Sequence, residues 1–239
     1  MAKTDKISSR FRKGIMAGLI AIIGATNVAI SKTPKTYLES TLVSDYVARH
    51  GMFKKGTVNQ NLVYVDFKNG FSGFAWGNYD FKENAVNEID GGVSYAHNLT
   101  DELSANIGFQ HWYYPSGEFG TYDNVFKAGL KLGGTIDLEY DLTHLLGHDE
   151  TPTGDRHYFK ASKTFNLGKI SGTNVSITPS ISTALLDDYY GTDGWSQITP
   201  GVSLDVSKGK WNLKAFINQQ HGKVYDDLTW GGISLGYSF

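Results

Sequence analysis

Four groups of residues in this 239-residue chain have types and spacings that could do chemistry. Gly232-Ile233-Ser234-Leu235-Gly236 matches G-x-S-x-G, the pattern that holds a nucleophilic serine on a strained turn between a strand and a helix. Only Tyr237, Ser238 and Phe239 follow, too little for that helix, so the small residues read as one face of a strand. His111, on the apolar face beside Trp112, is a candidate base for a membrane-embedded serine hydrolase, but no serine lies in an evident partner context. His144, His148, Asp149, Glu150 and His157 crowd a second segment, where His144 and His148 could share a metal, yet the spacing matches no defined site. Asp187, Asp188 and Asp193 lack the regular oxygen-ligand spacing of a calcium loop. We therefore expect no catalytic residue, no metal and no cofactor.

The fourth group is the informative one. Asp137, Glu139 and Asp141 alternate with Ile136, Leu138, Tyr140 and Leu142, which puts three carboxylates on one face of a strand. A dry core would not tolerate them, whereas a water-filled lumen would use them to select ions.

The elements around them repeat that alternation. Turn signals divide the chain into about twelve candidate strands at 37–49, 58–67, 71–81, 86–97, 103–113, 124–132, 135–142, 157–167, 175–185, 197–206, 211–219 and 227–239. In the last, Ile233, Leu235, Tyr237 and Phe239 share one face and Trp230, Gly232, Ser234 and Gly236 the other. Tight links at 68–70, 133–134 and 208–210 alternate with longer polar ones at 115–121, 145–155 and 187–195. An even strand count with short turns at one end and long loops at the other predicts an all-β fold, a transmembrane antiparallel up-and-down β-barrel. A soluble barrel or sandwich would bury the opposite face. Tyr37, Phe81, Tyr95, Tyr113, Tyr158, Tyr237 and Phe239 lie near predicted strand ends, where interfacial aromatic girdles belong.

On this reading the polar face lines the pore. It carries Glu39, Asp45, Glu88, Asp90, Asp137, Glu139, Asp141 and Asp205 against Arg49, Lys127, Lys131 and Lys214. Carboxylates outnumber cations, so a conducting lumen should prefer cations or neutral polar solutes. In a narrow barrel the same charges could instead pair across the wall and plug it.

Composition and the first residues agree with export. Gly 28, Tyr 14 and Phe 13 against Pro 5 favour strands and turns, and a mean hydropathy of −0.29 is compatible with a barrel whose two faces average out. Lys3, Lys6, Arg10, Arg12 and Lys13 precede an apolar run over 15–25, too short to span a bilayer as a helix but suited to a signal peptide. Cleavage after Ser31 would leave residues 32–239 as a single domain. Of the 22 basic and 24 acidic residues, that domain keeps 17 and 23, a formal charge of −6, which argues against a nucleic-acid partner. The absence of cysteine excludes disulfides.

Val43-Ser44-Asp45-Tyr46-Val47-Ala48-Arg49, Asn69 through Asn78 (NGFSGFAWGN), Ile89 through Tyr95 (IDGGVSY) and Trp112-Tyr113-Tyr114-Pro115 resemble, in order and spacing, the TorF-type porins of Gram-negative outer membranes. The resemblance covers about a third of the chain and departs at His50, which separates Arg49 from Gly51. It implies an outer-membrane channel, and the signal-like start, the alternating strands and the acidic inner face add the expectation of passive diffusion of small hydrophilic solutes. Its partners would be membrane lipid, lipopolysaccharide and the barrel-assembly machinery, which would read Phe239 as a C-terminal signal. The alternative is a closed structural or surface-binding barrel.

Overall fold

The computed structural model describes residues 34–48, 51–67, 69–117, 121–147 and 153–239. Its strands are β1 (Lys35–Val43), β2 (Tyr46–Ala48), β3 (Gly51–Lys54), β4 (Val58–Asp66), β5 (Phe71–Asp80), β6 (Ala85–Asn98), β7 (Leu103–Tyr113) and β8 (Tyr122–Leu132). Then follow β9 (Asp137–Leu145), β10 (Gly154–Ser162), β11 (Phe165–Ile170), β12 (Thr173–Tyr189), β13 (Thr192–Lys208), β14 (Trp211–Gly222) and β15 (Leu228–Ser238). Among the described residues there is no helix.

Each strand of the wall pairs antiparallel with its sequence neighbour, β10 pairs on to β12, and β15 pairs back on β1, so the sheet closes on itself. Because β11 continues the course of β10 along β12, twelve strands make the wall, and the short hairpin β2–β3 stands apart from it. The result is a closed, antiparallel, twelve-stranded barrel. Both ends of the described chain lie at one mouth, here the terminal end; the opposite mouth is the loop end.

Burial is inverted relative to a soluble domain. The outer face carries exposed Leu38, Leu42, Val63, Val93, Ile181, Ile198, Ile217, Ile233 and Leu235, whereas the buried side chains include Asn78, Glu88, Asp123, Thr199, Gln220 and Ser234. Backbone groups are satisfied strand to strand around the whole ring, which is what a lipid environment requires. In β15 the alternation is complete: Ile233 and Leu235 are exposed while Ser234 between them is buried. The small inner residues have a packing role, since a Cβ at Gly232 would come within 2.8 Å of the Phe216 ring and one at Gly236 within 2.1 Å of the Tyr37 hydroxyl.

Several expected boundaries move. The 187–195 loop is instead the end of β12 and the start of β13, joined by Tyr190-Gly191. Its Asp and Gly residues read as a loop, but Asp188 and Tyr190 take positive φ (52° and 51°) and bend a continuous hairpin whose Tyr189 is fully buried. Similarly, β11 and β12 run up to a two-residue turn at Ser171-Gly172, where both φ values are positive, as such hairpin turns need. The link after β8 is longer than Gly133-Gly134, because Thr135 and Ile136 stay outside β9. Of the expected aromatic girdle, Phe81, Tyr113 and Phe239 are exposed. Tyr158 is buried and pairs with Asp141 on the inner face. Tyr37 donates inward to Glu39 Oε2 at 2.7 Å. The expected signal peptide lies outside the described residues.

Candidate functional site

Residues opposite one another in a ladder share a face, so the register maps the lumen. Toward the loop end one inner row runs Leu62, Trp76, Asp90, Trp112, Asp123 across β4 to β8. A second runs Gly108, Lys127, Thr143, Arg156, Leu186 across β7 to β12. Where this map crosses β8, the carboxylate wall formed by Glu88, Asp90 and Asp123 gives way to a cationic one formed by Lys127 and Arg156. Arg156 Nη2 donates to Thr143 Oγ1 at 2.7 Å, and its guanidinium stands 5.7 Å from the centre of the Tyr189 ring.

Two loops reach into this region. The chain bends at Ser44-Asp45 so that Tyr46 turns inward: its phenol donates to Glu88 Oε2 and its ring lies 6.2 Å from that of Trp76. Val43, Tyr46 and Val58 pack there with Trp76, Phe216 and Trp230. On the other side, Tyr190 from the β12–β13 turn donates to Asp123 Oδ2 at 2.5 Å, and Tyr114 donates to the same oxygen at 3.1 Å. Burial pushes both phenols well above their ordinary range, so both remain donors. This clasp bridges β8 to β12 over the ends of β9 and β10, and Val125, Leu145, Leu186 and Tyr189 pack beneath it.

Toward the terminal end the expected acidic face is a mixed ladder. Lys131, Glu139 and Lys160 are successive cross-strand neighbours, Asp141 stands between Gly129 and Tyr158, and Asp137 is exposed opposite Ser162. The three carboxylates are contiguous along β9, but their neighbours across the ladder come from strands distant in sequence. Asp205 has Lys214 at 4.0 Å, and Glu39 accepts from Tyr37 and Thr41. Asp45 departs from the expected wall: it sits in the bend after β1, where it accepts from the Gly56 amide at 3.1 Å and ties down the first loop. Arg49 lies outside the described residues, as do His148, Asp149 and Glu150.

Among the described residues, two cavities border the inner wall. One of about 410 Å³ lies among Trp76, Trp112, Gln60, Gln110, Asp90 and Lys127. The other, about 260 Å³, is lined by Lys160, Ser180, Thr199, Asn218 and Trp230. Val47, on the inward hairpin, borders both. The first loop therefore stands at the boundary between the two halves of the lumen.

The other candidates separate. Ser234 is buried on the inner face, while His111 is exposed and bonded through Nδ1 to Asn124 Oδ1 at 2.9 Å, so the wall stands between them. His144 Nδ1 lies 2.7 Å from Asp155 Oδ1, and no cluster of three metal-ligating side chains occurs among the described residues. Sequence reasoning missed Asp123 and Arg156 because each lies just beyond a strand end set two or three residues too short. Unbroken alternation over 37–49, with Asp45 on the polar face, would put Tyr46 on the outer one; the bend at Ser44-Asp45 breaks that count and turns Tyr46 inward.

No protein-family model matches the chain, and no curated protein matches it in sequence. Solved structures do match in fold. A KdgM porin in complex with disordered oligogalacturonate aligns with 14% identity and a TM-score of 0.56, covering 86% of this chain and 99% of that one. The NanC porin aligns at 14% identity with a TM-score of 0.52 over 85% and 98% of the two chains. LpxR from Salmonella typhimurium aligns at 8% identity with a TM-score of 0.56 over 85% and 99%. The chain has the fold of porin-like outer-membrane barrels.

Proposed function

We propose that this protein is an outer-membrane channel of a Gram-negative bacterium, of the TorF type, that passes small hydrophilic solutes by diffusion. The observation that carries this reading is the inverted burial: an apolar outer belt encloses an inner wall of charged and amide side chains bordering two polar cavities. Passage needs no covalent chemistry, and Ser234 and His111 stand on opposite faces of the wall. The acidic wall at Glu88, Asp90 and Asp123 faces the path from the loop end, so cations and neutral solutes enter more readily than anions. Lys131 and Lys160 beside Glu139 temper that preference toward the terminal end. Lipid and lipopolysaccharide contact the outer belt, and the assembly machinery reads Phe239 at the terminal rim.

Planar-bilayer recording of the purified, heat-modifiable barrel tests the reading. A barrel that never conducts removes it. Neutralising Glu88, Asp90 and Asp123 together should reduce cation preference more than neutralising Asp137, Glu139 and Asp141. Unchanged reversal potentials in both triple variants would place the charges away from the path. The second reading, a closed barrel whose loops bind at the surface, is favoured by the inward hairpin and the Tyr114–Tyr190 clasp, and it predicts a sealed lumen.

A further inference from the structure

The geometry points to a binding site for a neutral pyranose sugar in the larger inner cavity. Asp90 has Trp76 as its direct neighbour on β5 and Trp112 on β7, so two indoles flank one carboxylate on the inner wall. Directly opposed Cβ atoms lie about 4.5–5.5 Å apart, which sets the two indoles roughly 10 Å from each other, the span of one to two sugar rings. Both rings are held. Trp112 Nε1 donates to Gln110 Oε1 at 3.0 Å, which leaves the Gln110 amide nitrogen as a donor, and Tyr46 braces Trp76. Phe74 also borders the space, its ring lying over Gly92, where a Cβ would come within 2.6 Å of it.

The chemistry of this lining narrows the ligand. Aromatic faces take the apolar C–H face of a sugar ring, and carboxamides with a carboxylate take its vicinal hydroxyls; Gln60 and Gln110 supply the amides. A cavity of about 410 Å³ sits at the small end of the usual range for ligand pockets, which fits a mono- or disaccharide. Two cations border the cavity, but Arg156 is already engaged by Thr143 and the Tyr189 ring and Lys127 shares the lining with Asp90, so an anionic sugar gains no unmatched cation there. An apolar solute would displace water from Asp90, Lys127 and both amides without adding a hydrogen bond to any of them.

The site lies on the solute path of the channel proposed above, but binding itself requires no conduction. Calorimetric titration of the full folded barrel in detergent with glucose and maltose tests it, with mannitol and galacturonate as comparison solutes. Saturable binding of glucose or maltose is expected. Trp112→Leu and Gln110→Leu should each weaken it about tenfold, while Trp211→Phe, at the terminal rim, leaves it unchanged. Heat-modifiable migration reports folding; if Trp112→Leu fails that check, Asp90→Asn carries the test and should weaken binding likewise. The proposal is overturned if neither sugar binds saturably, if mannitol binds as well as glucose, or if galacturonate binds more tightly than maltose. A barrel that binds maltose and never conducts refutes the channel and leaves the site standing; one that conducts without binding sugar does the reverse.

Discussion

Replacing Ile233 with Arg separates a membrane barrel from a soluble one more sharply than any other single change. Ile233 is the central residue of the eleven in β15, is 59% exposed on the outer face, and pairs with Leu42 and Ala215. In a bilayer that position lies near the midplane, where an arginine on the lipid face costs about 2–4 kcal/mol. A penalty near ~3 kcal/mol lowers the folded-to-unfolded ratio by roughly two orders of magnitude. In water the same exposed substitution would cost less than about 0.5 kcal/mol. The assay is equilibrium denaturant unfolding of the barrel in lipid vesicles, followed by tryptophan emission. Ser180→Arg is the matched control, because Ser180 borders an inner cavity, and it should cost under about 1 kcal/mol. An unfolding midpoint for Ile233→Arg equal to wild type, or lower stability for Ser180→Arg than for Ile233→Arg, would refute the assignment of the two faces.

Four further changes probe the interior and its closure. Tyr46→Phe removes the donor to Glu88 and should raise single-channel conductance and protease sensitivity near the first loop, at a stability cost of about 1–3 kcal/mol. Gly232→Leu would drive its Cβ to 2.6 Å from the Leu42 carbonyl and into the Phe216 ring, and should destabilise by about 1–3 kcal/mol, measured as an earlier heat-modifiability transition. Because burial raises the phenols of Tyr114 and Tyr190, their contribution is fully present below about pH 10 and drains as pH climbs beyond it, so alkaline unfolding should flatten in a Tyr114→Phe, Tyr190→Phe variant. Deleting Phe239 should lower the amount of barrel in the membrane more than it alters conductance, as surface labelling beside bilayer recording would show.

Much of the wall was legible because its two faces meet different solvents. Ile233, Ser234 and Leu235 announce their faces by type alone, and the return of the last strand onto the first follows from an even meander. The interior was less legible for two reasons. A ladder places Lys131 and Lys160 beside Glu139 from strands far off in sequence, so charge read along β9 alone overstates its acidity. Turn-like residues also mislead where buried aromatics overrule them: Asp187, Asp188 and Gly191 spell a loop, but Tyr189, packed against Leu186 and Leu145, keeps the hairpin continuous. The inward course of the first loop depends on the bend at Ser44-Asp45, which no periodicity encodes.

The pairing of Tyr37 with Ser238 has a consequence in time rather than in space. Nearly the whole chain separates these partners, and contacts so distant are formed slowly because a long loop must close before they are rewarded. Until Leu228–Ser238 arrives, β1 and β14 each present a row of unpaired amides and carbonyls to whatever strand comes by. Every intermediate short of the last strand is therefore a curled sheet with two adhesive margins. Synthesis, export and insertion must keep those margins apart from other chains until the final residues are in place.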